Sequence, residues 1–145
     1  MDTSSSYGLY TSRSRPKRLI MNKTDIKSYL KLYSHKILDD LGLGDQNIVY
    51  EYLKDSEDRA ETITSFPYKD IIIKITPKNI DTNEELLQVL LHEYAHVILA
   101  PFTHYNEKVN LKLSKRQATA LDEHMGLMEE IVATHLERVF VKLGV

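Results

Sequence analysis

The pentapeptide His92-Glu93-Tyr94-Ala95-His96 constrains this chain most, because it lies inside an otherwise apolar stretch that runs from Leu86 to Leu99. An apolar stretch of this length predicts a buried helix. Residues four apart on a helix share a face, so His92 and His96 would present two imidazoles to one point, with Glu93 beside them. Burying two histidines and a glutamate is costly unless each finds a partner, and one metal ion can partner all three.

The pattern H-E-x-x-H is the arrangement that a zinc-dependent hydrolase needs. Two neutral imidazoles supply part of a tetrahedral Zn²⁺ shell, and the neighbouring carboxylate can accept a proton from a water that the metal activates. The chain contains no cysteine, so thiolate zinc sites and disulfides are excluded. We therefore expect Zn²⁺ as cofactor, His92 and His96 as ligands, Glu93 as general base, and a third ligand from His, Asp or Glu.

Residues 1–18 differ in composition from the rest of the chain. They are rich in serine, threonine and basic residues without a sustained period, which indicates a flexible basic tail. Residues 19–145 are predicted to form one domain, since a chain of 145 residues can bury a core without cross-links. The formal net charge of −2 makes nucleic acid an unlikely partner and does not favour an anionic membrane.

The location of the protein is expected to be cytoplasmic. The first residues lack the apolar core of a signal peptide. The longest apolar run is interrupted by polar residues and is unsuited to crossing a bilayer. Composition specifies no oligomeric state.

Periodicity predicts an α+β fold. Apolar residues at three- and four-residue spacing predict a first helix over 24–41, with an N-cap at Thr24 or Asp25. Short β-branched and aromatic runs predict three strands in a small, mainly antiparallel sheet, at 48–53, 61–66 and 71–75. Lys74 lies in an otherwise aliphatic run, which favours a place near the sheet edge for its strand.

Two further helices are predicted after the sheet. The motif helix begins at a capping box formed by Thr82 and Glu85, and it stops at Ala100 because Pro101 disfavours helical geometry just before it. Residues 101–116 are then predicted to form a loop or lid. A last helix is predicted from about Ala118 to Val141, and its buried side is predicted to carry Leu121, Met125, Met128, Val132, Leu136, Val139 and Phe140.

This order of elements resembles the minimal zincin metallopeptidases over residues 24–141. It is similar in particular to gluzincins, in which the third ligand is a glutamate on the helix after the motif. The short format is also similar to the ImmA/IrrE-like metallopeptidases and to small phage or mobile-element zincins. The metzincin branch is disfavoured, because Leu99 and Phe102 stand where its pattern has Gly and His.

Two adjacent glutamates compete as the third ligand. Helical spacing puts Glu129 on the same side as Met125, which we expect to face the motif helix. The resemblance points instead to Glu130, because the ligand glutamate of small gluzincins is followed at three and four residues by a small and a polar residue, here Ala133 and Thr134. We prefer Glu130 as the ligand, with Glu129 as a hydrogen-bond acceptor for a ligand imidazole.

Four further side chains are candidates for stabilising a tetrahedral intermediate or for supporting the ligands. His104 and Tyr105 lie in the predicted lid and could donate to an oxyanion. His124 and His135 lie on the last predicted helix, where a packing or surface role is preferred for both. The sequence does not rank the four.

The favoured function is zinc-dependent hydrolysis of a peptide or protein substrate that aligns along an exposed edge of the sheet. The alternative is a catalytically silent binding or regulatory protein that keeps a structural zinc on the same scaffold. An open groove at the metal favours the enzyme, whereas a site plugged by His104 or by the tail favours the alternative. Nucleic-acid association through the basic tail is a third and weaker hypothesis.

Overall fold

Three helices and one small sheet make up the described part of the chain. The structure, a computed structural model, describes residues 20–64 and 70–145. Its elements are, in order, α1 (Lys23–Asp40), β1 (Asn47–Tyr52), β2 (Ala60–Thr64), β3 (Asp70–Ile75), a 3₁₀ turn (Pro77–Asn79), α2 (Asn83–Asn110) and α3 (Lys115–Leu143). The α+β class is confirmed, and the predicted tail at 1–18 lies outside the described residues.

Helix α1 begins one residue earlier than predicted, because its N-cap is Asn22. The Asn22 side chain accepts a hydrogen bond from the Asp25 backbone N–H at 2.8 Å, and the Asp25 carboxylate accepts one from the Asn22 N–H at 3.2 Å. This reciprocal capping box needs a side chain with an acceptor oxygen three positions after the cap, and Asp25 supplies it. The predicted cap at Thr24 or Asp25 is therefore wrong, and Thr24 lies inside the first turn.

The sheet is mixed, with the strand order β1-β3-β2. The prediction of a mainly antiparallel sheet holds for β2 and β3, whereas β1 pairs with β3 in parallel. The edge position inferred from Lys74 is wrong, because β3 is the central strand. Lys74 is tolerated there because it stands directly between Glu51 of β1 and Glu61 of β2, so opposite charges flank it across both strand pairs.

One face of the sheet packs into the core. Ile71, Ile73 and Ile75 alternate with less buried residues along β3, as a strand covered on one face requires. The helices supply the other side of this core, chiefly through Ile26 and Leu30 of α1 and Leu86, Leu90 and Leu91 of α2. Strand β2 turns the small or polar residues Ala60, Thr62 and Thr64 to the same face, because each is paired with one of the three buried isoleucines.

Helix α2 begins as predicted and ends later. The Thr82 side chain accepts from the Glu85 N–H at 3.1 Å, and the Glu85 carboxylate accepts from the Asp81 N–H at 3.0 Å. The prediction that the helix stops at Ala100 is wrong, since α2 continues through Pro101 to Asn110. Proline removes one backbone hydrogen bond and strains the preceding turn, but the following turns contain no second proline or glycine that would end the helix.

Helix α3 begins at Lys115, three residues earlier than predicted. The prediction of a lid over 101–116 is wrong, because α2 covers these residues as far as Asn110 and α3 begins before they end. Ser114 is its N-cap and forms a capping box with Gln117. The main partner of α3 among the described elements is α2, and Ala133 is its fully buried residue. The predicted buried side is therefore wrong in part: Met128 and Val132 are exposed, and the rest of that side is only partly buried.

Within the described ranges, no helix has the combination of length and apolar character that crossing a membrane would require.

The α1 cap gives a first testable prediction. Replacing Asn22 with Ala should lower the free energy of unfolding by about 1 kcal/mol, because one N–H of the first turn loses its acceptor. Thr24→Ala is the matched control and should change the free energy of unfolding by less than about 0.5 kcal/mol, since Ala has the higher helix propensity. Urea unfolding of both variants measures the difference, and a larger loss in Thr24→Ala would contradict the assignment of the cap.

Candidate metal centre

Three side chains from two helices converge at one point. His92 and His96 lie one turn apart on α2, and their Nε2 atoms are 3.3 Å from each other. Helix α3 brings Glu130 across from them, with carboxylate oxygens 3.3 Å from His92 Nε2 and 3.0 Å from His96 Nε2. These three residues form a group that could hold a metal ion.

Each histidine has a second glutamate on the far side of its ring. Glu129 Oε1 lies 2.9 Å from His96 Nδ1, and Glu137 Oε2 lies 3.3 Å from His92 Nδ1. A carboxylate at this position accepts a hydrogen bond from Nδ1–H, which keeps the hydrogen on Nδ1 and leaves Nε2 with a free lone pair. That lone pair points away from the carboxylate, on the opposite side of the ring. Both lone pairs are consequently directed at the point where Glu130 also lies.

This arrangement of acceptors suits a cation. In the tautomer fixed by Glu129 and Glu137, neither Nε2 atom carries a hydrogen, so the two rings cannot hydrogen-bond to each other or to Glu130 through these atoms. Three electron-rich groups that face one another within 3.3 Å repel unless a positive charge lies between them. A divalent metal ion would convert this repulsion into three coordination bonds, so the residues present fit the cofactor that the motif predicts.

Glu93 lies beside the histidines and is held by the sheet. Its side chain is buried, and its Oε2 accepts a hydrogen bond from the Thr62 hydroxyl of β2. Burial raises the pKa of the Glu93 carboxyl, although the Thr62 hydrogen bond and the nearby His96 and His92 act in the opposite direction. Glu93 also lines the same cleft of about 600 Å³ as His92, His96 and Glu130.

The other four candidate residues lie elsewhere. His104 contacts Thr64 Oγ1 at 3.2 Å through Nε2 and Glu107 at 3.2 Å through Nδ1, and it does not line the metal cleft. Tyr105 is 67% exposed, and His135 is also exposed. His124 lines a separate cleft between α2 and α3. Their roles in stabilising an intermediate or supporting the ligands remain predictions.

Sequence reasoning missed two residues of the site. Glu137 follows Glu130 by seven residues, which is two helical turns, so helical spacing alone already places the two on one face of α3. Thr62 gave no comparable signal, because its contact with Glu93 depends on the position of β2 relative to α2 in the folded chain.

Comparison of the chain with protein-family models, with curated proteins and with solved structures finds no match. Evidence for function therefore comes from the possible metal-binding group itself.

The two adjacent glutamates should differ in their effect on metal affinity. Glu130→Gln should weaken Zn²⁺ binding by more than about 100-fold, because a neutral amide replaces the anionic ligand. Glu129→Gln should weaken binding by about 10–100-fold, as expected for a partner that orients an imidazole. Competition with a chromogenic chelator measures both affinities.

Glu123→Gln is the control for charge, because Glu123 is an exposed glutamate on the same helix outside the cleft. A larger loss of Zn²⁺ affinity in Glu129→Gln than in Glu130→Gln would exchange the two roles.

Proposed function

We propose that this chain is a zinc-dependent metallopeptidase of the zincin type, in which His92, His96 and Glu130 bind Zn²⁺ and Glu93 is the general base. One observation carries the proposal: two imidazole nitrogens and a carboxylate converge beside a buried glutamate in a single cleft. Two histidines and one glutamate are a donor set of catalytic zinc sites, which keep a further coordination position for water or substrate.

The spacing of the donor atoms supports zinc as the ion. Zinc bonds to nitrogen or oxygen of about 2.0–2.1 Å place the corners of a tetrahedron about 3.3–3.4 Å apart. The observed separations between His92, His96 and Glu130 are 3.0–3.3 Å. The absence of cysteine in the chain also matches a site built from nitrogen and oxygen alone.

When bound, Zn²⁺ would lower the pKa of a water and polarise the carbonyl of the scissile bond. Glu93 accepts a proton from the attacking water and delivers it to the leaving amine. Burial suits Glu93 to both steps, because a carboxyl whose pKa is raised above its ordinary value is a stronger base and still releases the proton. Glu129 and Glu137 keep the two imidazoles in the tautomer that leaves Nε2 free for the metal.

The substrate is a peptide or protein segment in extended form. Strand β2 is an edge strand, and Arg59 to Thr62 line the cleft together with Glu93. An extended segment can add to such an edge through backbone hydrogen bonds, which bind it without regard to most of its side chains. This geometry would bring a scissile bond next to the metal ligands.

The cleft favours catalysis over a purely regulatory role. His104, which could plug the site, is bonded to Thr64 and does not line the cleft that His92, Glu93 and His96 share. A cleft of about 600 Å³ has the size of sites that take ligands. The alternative, a silent zincin scaffold with a structural zinc, has no comparable support from the described residues.

Replacing the proposed base should separate metal binding from catalysis. Glu93→Gln should retain about one zinc per chain and lose peptidase activity by about 10²–10⁴-fold, because proton transfer is lost while the ligands remain. Zinc analysis of the purified protein and hydrolysis of an unstructured protein substrate are the two measurements. Glu84→Gln, an exposed glutamate at the start of α2, is the control that should leave both unchanged.

The proposal fails if the wild-type chain binds no zinc, or if His92→Ala binds zinc as tightly as the wild type. Zinc binding without hydrolysis of any peptide would favour the silent scaffold.

A further inference from the structure

The backbone of Thr62 faces the open edge of the sheet. The Thr76 N–H donates to the Arg59 carbonyl at 2.9 Å, and the β2–β3 register places these two residues directly opposite each other. In an antiparallel pair, such hydrogen-bonded positions alternate with positions whose backbone groups point away. Residues 59, 61 and 63 therefore bond to β3, while Ala60, Thr62 and Thr64 direct their N–H and C=O groups outward.

The opposite side of β3 agrees with this assignment. Ile75 is paired with Ala60, so its backbone groups should point away from β2 and toward β1. Its carbonyl does accept from the Leu53 N–H on the β1 side, at 2.8 Å. No other described strand occupies the outer edge of β2. The outward backbone groups of Thr62 are thus positioned to pair with an added strand.

The side chain of the same residue reaches the proposed base. The side chains of a strand alternate between its two faces, and that of Thr62 points to α2. Its hydroxyl donates to Glu93 Oε2 and lies 3.4 Å from the Glu93 carbonyl oxygen. A threonine is well suited to this contact, because its β-branched side chain has few χ1 rotamers and holds the hydroxyl in place.

We propose that Thr62 is a positioning residue that links substrate binding to the general base. Its backbone pairs with the substrate strand at the edge of β2, and its hydroxyl fixes the rotamer of Glu93 by occupying Oε2, which assigns Oε1 to the proton transfer. One residue therefore sets the distance between the bound backbone and the base. This inference rests on the proposed peptidase function and adds to it the residue that aligns Glu93 with the substrate.

The kinetic test uses three substitutions at this one position. Thr62→Val keeps the shape and the backbone but removes the hydroxyl, so kcat should fall by about 10–100-fold, as for other lost orienting partners. KM should change by less than about threefold, because the edge hydrogen bonds remain. Thr62→Ala should lower kcat in the same way. Thr62→Ser should keep kcat within about threefold of the wild type, because serine retains the hydroxyl that donates to Glu93.

Zinc content should be unchanged in all three variants, since Thr62 contacts none of the three proposed ligands. If Thr62 had only a structural role, its substitution would lower the stability of the protein and would not lower kcat selectively while KM stays nearly constant. A wild-type kcat in both Thr62→Val and Thr62→Ala would overturn the proposal. An equal loss of kcat in Thr62→Ser would overturn it as well.

A second measurement works without any peptidase activity. Thermal unfolding is compared for Thr62→Val, Glu93→Met and the double variant, where Met replaces Glu with a side chain of similar length and no acceptor oxygen. If the hydroxyl and carboxylate interact, the shift in Tm of the double variant should be smaller than the sum of the two single shifts. Additive shifts would overturn the inference. Non-additive shifts in a protein that cuts no peptide would support the contact and refute the proposed function.

Discussion

The packing of α3 against α2 is the interaction on which the candidate site depends. Each helix alone carries only part of the donor set: α2 has the histidines, and α3 has Glu129, Glu130 and Glu137. Ala133, the fully buried residue of α3, lies one turn after Glu129 and Glu130, where a small side chain lets the two helices approach closely. Several apolar side chains of α3 stay exposed, and contacts between glutamates of α3 and histidines of α2 also join the two helices.

A bound metal would therefore act on folding as well as on chemistry. An ion shared by α2 and α3 would cross-link the two helices, and its binding free energy would contribute to their association. The site is also rich in negative charge, because the carboxylates of Glu93, Glu129, Glu130 and Glu137 surround two imidazoles. A divalent cation would offset part of that charge, so its binding would stabilise the fold independently of any reaction.

The sequence predicted what depends on local spacing and missed what depends on the arrangement of elements. The motif helix, its cap at Thr82 and the α+β class followed from periodicity over a few residues. The central place of β3 could not follow from Lys74, because it depends on β3 returning to pair between β1 and β2. The prediction from Pro101 was wrong because the local rule describes the cost of one proline, which the long helix on both sides of it tolerates.

The candidate site also contains residues that local spacing predicts and one that it does not. His92, His96 and the choice between two glutamates came from helical spacing and a family resemblance, and the structure brings Glu129 and Glu130 to opposite nitrogens of His96. One imidazole thus contacts both glutamates, Glu129 through Nδ1 and Glu130 through Nε2. The role of Thr62 could not be predicted from the sequence, because the distance between its strand and α2 is set only when the sheet is assembled.

The contacts of Glu130 and Glu137 with His92 make the site more sensitive to the number of residues between these two glutamates than to the composition of α3. One inserted or deleted residue turns everything beyond it by about 100° around the helix axis. Such a change between Glu130 and Glu137 would rotate Glu137 away from His92 even if every other side chain were kept. Many substitutions on the exposed surface of α3 are compatible with the same geometry. Sequences that share this site should therefore vary freely on that surface while keeping the number of residues between these glutamates constant.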